Sequence, residues 1–101
     1  MEIKVTCETR RAEVFLKGEL DHHGAKGLMV QIEREIERQL PLQLILNFAG
    51  ISFMDSSGIA VVIRSKQRMK ELGGTVKLRK VPAQPKRVFE AAGIGRIVEM
   101  E

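Results

Sequence analysis

The stretch LQLILNF, Leu42 to Phe48, is nearly all apolar and only seven residues long. A run this short, bounded by a proline on one side and Ala-Gly on the other, reads as a strand rather than a buried helix. Apolar side chains fall at odd and even positions alike, which predicts a strand covered on both faces, in the middle of a sheet. The flanks have another period. From Gly24 to Leu40, Leu28, Ile32 and Ile36 recur every four residues beside Ala25, Met29 and Leu40, and charged residues fill the other side. That spacing predicts an amphipathic helix, ended by Pro41. Downstream, AGISFM (Ala49–Met54) reads as a connection. Gly58 to Leu72 reads as a helix, apolar early and basic late, which Gly73-Gly74 closes.

Further out, TVKLRKV (Thr75–Val81) alternates, with Val76 and Leu78 inward. Pro82 and Pro85 open a last helix through KRVFEAAG (Lys86–Gly93), and RIVEM (Arg96–Met100) reads as a final short strand. At the other end, EIKVTCE (Glu2–Glu8) alternates, with Ile3, Val5 and Cys7 on one face. Cys7 is therefore expected as a buried structural thiol. TRRAE is a polar turn, and AEVFLKGEL (Ala12–Leu20) completes a hairpin. The expected fold is α/β: one domain over residues 1–101, with a mixed β-sheet, an N-terminal hairpin and helices packed on the sheet. The element order is β-β-α-β-α-β-α-β, joined by right-handed crossovers.

Totals narrow the function. The chain has 101 residues, 44% hydrophobic and 30% charged, enough for one self-sufficient core. No apolar run approaches about 20 residues, so no membrane span is expected. The N-terminus lacks the basic-then-apolar pattern of a signal peptide, so a cytoplasmic location is expected. Cys7 is the sole cysteine, which excludes an internal disulfide. Residues 1–50 hold seven Lys/Arg against eight Asp/Glu, and residues 51–101 hold ten against five. The basic half reads as a solvated surface. With four Phe and neither Trp nor Tyr, a stacking platform for nucleic acid is not expected.

The residue types that carry chemistry are few. His22 and His23 are adjacent, and neighbouring side chains rarely aim at one ion, so no metal site is expected. A serine hydrolase would draw on Ser56 or Ser57, His22 or His23, and Asp21 or Asp55, but the chain reads M-D-S-S-G instead of G-x-S-x-G. No phosphate-cradling glycine motif occurs, and no cofactor is expected. The serine pair remains. Read locally, Asp55-Ser56-Ser57 caps the helix that follows. One cap residue suffices, however, and here three stand in a row before Gly58. A glycine there costs helix propensity but clears space around the serines.

GELDHH (Gly18–His23) together with ISFMDSSGIAVVIRSKQRMKELGG (Ile51–Gly74) resembles the anti-sigma factor antagonists, bacterial members of the STAS-domain family. PAQPKRVFEAAGIGRIVEM (Pro82–Met100) is similar to that family's last helix and strand, so the resemblance covers essentially the whole chain. GELDHH leans toward the sporulation, sigma F branch. The resemblance implies a binding protein and not an enzyme. Its partners would be an ATP- or ADP-bound anti-sigma factor with serine kinase activity, and a PP2C-type serine phosphatase. Neither nucleic acid nor membrane is implied. The unphosphorylated protein would bind the anti-sigma factor and release sigma factor, and phosphorylation of Ser56, ahead of Ser57, would switch binding off. Asp21, His22, His23, Asp55, Ser57, Gly58 and Arg64 would form the contact surface, with Arg64 and Lys66 either steering a partner or simply solvated. Two alternatives stay open: an antagonist in a general-stress system, and a non-catalytic docking module in a transporter or sensory complex. The chain ends soon after its last strand, so a longer C-terminal helix of the family type is expected to be shortened or missing.

Overall fold

The computed structural model describes all residues, Met1–Glu101. Its elements follow the expected order: β1 (Glu2–Glu8), β2 (Arg11–Leu20), α1 (His22–Gln39), β3 (Gln43–Met54), α2 (Ser57–Glu71), β4 (Thr75–Arg79), α3 (Ala83–Ala91), a 3-10 turn (Ile94–Arg96) and β5 (Glu99–Met100). The five strands form one sheet in the order β1-β2-β3-β4-β5. β1 and β2 are antiparallel, and every later pairing is parallel.

Sheet order equal to chain order has a geometric consequence. Each parallel step moves the same way across the sheet, so crossovers of one hand all lie on one face. Leu44, Leu46 and Phe48 of β3 share a single buried cluster with Leu28, Ile32 and Ile36 of α1, Val61, Val62 and Met69 of α2, and Phe89 of α3. Phe48 and Phe89 meet edge to face, with ring centroids 5.4 Å apart. LQLILNF is central and covered on both faces, as expected, but helices cover only one of them. Ile45 is fully buried but lies outside this cluster. Its register partners are Glu13 and Lys77. A mat of long charged side chains covers it: Arg79 pairs with Glu13 at 2.9 Å and Lys77 with Glu101 at 2.8 Å. Asn47 Nδ2 donates to Glu13 at 2.9 Å. The aliphatic stems of such residues exclude water as an apolar layer would.

Two other expectations change. Cys7 is exposed. It sits on the correct face, opposite Ala12, but β1 is the outer strand, and even Ile3 and Val5 are only half-buried there. AGISFM is not a connection. β3 runs through it to Met54, with register shifts against β2 between Phe15 and Lys17 and between Gly18 and Glu19. Those irregularities break the alternation that marks a strand in sequence. The end of α2 matches expectation. Gly73 takes φ +73, its N–H donates to Lys70 O, and Gly74 N–H donates to Met69 O. This is the paired C-terminal motif that needs a left-handed residue.

Candidate functional site

β2 and β3 are adjacent and parallel, so the helices that follow them start side by side at the carboxyl edge of the sheet. This edge is where open α/β sheets present their sites. It brings GELDHH and FMDSSG together. Asp21 caps α1: its extended backbone turns the chain, and its Oδ1 accepts from Gly24 N–H at 2.8 Å. His22 and His23 form the exposed first turn of α1, two residues earlier than the periodicity placed the helix.

Asp55 joins the two halves. Its Oδ1 accepts from Ser57 N–H at 2.8 Å, and its Oδ2 accepts from His22 N–H at 3.2 Å, across 33 positions of sequence. One carboxylate thus serves the starts of both helices, where the macrodipoles favour negative charge. The Ser57 N–H does most to hold this carboxyl below its ordinary 3.8, against a smaller desolvation effect; the Ser57 side chain, then the N–H and charge of His22, add to it.

With Asp55 capping, the serines are free of that duty. Ser56 is exposed, has helical backbone angles (φ −62, ψ −14), and its side chain makes no capping hydrogen bond. Ser57 is half-buried and lines a groove of about 220 Å³ between α1 and α2, with His22, Ala25, Lys26, Met29, Ala60 and Arg64. Arg64 reaches across that groove and pairs with Glu33 of α1 at 2.8 Å. Gly58 is buried. A Cβ there would come within 2.3 Å of Met54 Sδ and 3.2 Å of Leu20 Cδ2, so its missing side chain serves packing of α2 onto the strand ends. Surface clearance is not needed to explain it.

Sequence reading missed two contributors. Lys26 puts an exposed cation into the groove beside Arg64. Gln84, in the first turn of α3, bonds both backbone groups of Met54. Neither carries a local signal: a lysine on a polar helix face and a glutamine between two prolines in Pro82-Ala83-Gln84-Pro85 are ordinary in sequence.

The profile of the STAS domain matches residues 2–101, and the chain belongs to the STAS-domain family. Among its relatives, the anti-sigma F factor antagonist of Lysinibacillus sphaericus is 31% identical over 96 residues, 94% of this chain and 82% of that protein. The solved structure of the anti-sigma factor antagonist SpoIIAA in its unphosphorylated form superposes with a TM-score of 0.84 at 28% identity, covering 99% of this chain and 88% of that one. SpoIIAA in its phosphorylated form superposes at 0.74, also at 28% identity, covering 99% and 91%. No helix of the chain is long and apolar enough to cross a membrane.

Proposed function

We propose that this protein is an anti-sigma factor antagonist of the sigma F type, with Ser56 as a regulatory phosphoacceptor. Unphosphorylated, it binds an anti-sigma factor that is also a serine kinase and so frees sigma factor. Phosphorylation of Ser56 ends that binding, a PP2C-type phosphatase restores it, and the exchange takes place in the cytoplasm. The observation that carries this reading is an exposed Ser56 hydroxyl released from capping because Asp55 does it. Similarity to SpoIIAA, solved both with and without phosphate, supports it. The protein acts by binding. Asp55 holds the backbone N–H of His22 and not its imidazole, so the serine–histidine–aspartate relay of a hydrolase is not assembled.

The physics is that of a charge switch. A phosphate adds about 1.5 to 2 negative charges. The starts of two helices tolerate that charge, so the fold survives modification. Asp55, kept ionised by its N–H partners, and Asp21 next to it repel the new charge. A surface that accepts a neutral hydroxyl then meets a hydrated dianion. A loss of about 3 kcal/mol corresponds to roughly a hundredfold in affinity.

The test uses the anti-sigma F factor of Lysinibacillus sphaericus with labelled ATP, followed by phosphopeptide mapping. Label on Ser56, unchanged circular dichroism and a hundredfold or larger loss of binding by the phosphoprotein are expected. A phosphoprotein that binds as tightly as before refutes the switch, and label confined to Ser57 reassigns the acceptor.

A further inference from the structure

The residue before the Asp55–Ser57 turn is held from a distant part of the chain. In an extended strand, the N–H and C=O of one residue point to the same side. At the end of β3 the side facing β2 is satisfied: Asp55 N–H donates to Leu20 O at 3.2 Å. The Met54 groups point the other way, toward β4, but pairing with β4 stops at Asn47–Arg79. Met54 is fully buried, and an unpaired donor and acceptor there would each carry a desolvation penalty. The Gln84 carboxamide fills both positions. Its Oε1 accepts from Met54 N–H at 2.8 Å and its Nε2 donates to Met54 O at 2.7 Å. Only one orientation of the amide achieves this, and an ionised glutamate could make only the first bond. The side chain thus stands in for one residue of a missing strand. Out of the sheet plane, the Met54 side chain lies against Gly58, in the first turn of α2.

We propose that Gln84 is a positioning residue of the Ser56 site. Acting through Met54, it sets where the Asp55–Ser57 turn, and with it the Ser56 hydroxyl, is presented to the partner. The consequence for phosphorylation rests on the reading of Ser56 as the acceptor; the structural coupling does not.

Amide hydrogen exchange and amide chemical shifts of the full chain, compared among wild type, Gln84→Ala, Gln84→Glu and the same-helix control Lys86→Ala, test the coupling. In Gln84→Ala, exchange at Met54 rises about tenfold. The Asp55, Ser56 and Ser57 amides shift, while Leu44 and Leu46 exchange as in wild type. Gln84→Glu at neutral pH restores protection of the Met54 N–H but leaves the Asp55–Ser57 amides displaced, since the Met54 carbonyl stays unpaired. A residue that merely stabilised α3 would not separate these two readouts. With the Lysinibacillus sphaericus anti-sigma F factor and labelled ATP, kcat for Ser56 in Gln84→Ala falls about tenfold with a smaller change in KM. Unchanged Met54 exchange, unmoved Asp55–Ser57 amides, or wild-type kcat alongside moved amides overturns the proposal. If the wild-type protein itself takes no label, the reading of Ser56 fails, and the Asp55–Ser57 amides alone decide the role of Gln84.

Discussion

Gly58 shows how one missing side chain can serve packing where sequence alone suggests access. A methyl group there would meet the buried Met54 side chain well inside contact distance. Overpacking of this kind costs about 1–3 kcal/mol, and the gain in helix propensity from glycine to alanine returns up to about 1 kcal/mol. Gly58→Ala is therefore expected to lower stability by up to about 2 kcal/mol, read as a lower urea midpoint with an unchanged m-value. A stability equal to or above wild type would mean that Met54 has room to move. The division of labour at Asp55-Ser56-Ser57 has the same character. All three can cap a helix, and a local pattern does not say which one does. The choice is made by His22 N–H, which arrives from another segment and fixes the carboxylate between two helix starts.

At the scale of elements, helices were legible because their signals are local. The repeat of Leu28, Ile32 and Ile36 and the Gly73-Gly74 stop both lie within a few residues of what they specify. The second half of β3 was not legible, since its register shifts interrupt the alternation. That LQLILNF is covered on both faces was legible, but not what covers the second face: Ile45 lies under residues from β2, β4 and the C-terminus, not under a helix. The β1–β2 hairpin carries a local conflict. Its two-residue turn puts Thr9 at φ 51 and Arg10 at φ 59. Both are left-handed positions that suit Asn-Gly, and a β-branched residue fits them badly. Arg10 has compensation: its guanidinium donates to Leu40 O at 3.1 and 3.3 Å, and its carbonyl accepts from Leu42 N–H at 2.7 Å. The Thr9 side chain makes no comparable hydrogen bond. Thr9→Asn is therefore expected to stabilise the protein by up to about 1 kcal/mol, seen as a raised melting temperature. A lowered one would show that the Thr9 side chain makes a stabilising contact that asparagine cannot.

For the molecule as a whole, pH acts at both ends of the scale. Asp55 is lowered from 3.8 chiefly by Ser57 N–H, and Glu101 from 4.5 chiefly by Lys77. A carboxyl lowered by folding contributes stability above its unfolded value and loses it as pH falls through its folded value. Lys77 is raised from 10.5, chiefly by Glu101, so its contribution is intact below 10.5 and is lost as pH rises through the higher folded value. A plateau of urea midpoints between about pH 5 and about pH 10 is expected, with both limbs flattened in Glu101→Gln. A midpoint already falling between pH 7 and pH 9 would contradict the Lys77 assignment. The sheet order has a consequence of another kind, in time. Because every strand pairs with the one before it, a chain emerging from the ribosome always finds its partner edge already made, and no strand waits for a later one to be inserted. The hairpin comes first, and β3 and β4 are then laid down in turn. Ser56 is thus synthesised well before Gln84, and a nascent chain released from the exit tunnel only as far as β4 displays the Asp55–Ser57 turn without the two Gln84 hydrogen bonds to Met54. Those two bonds form only once α3 has been made.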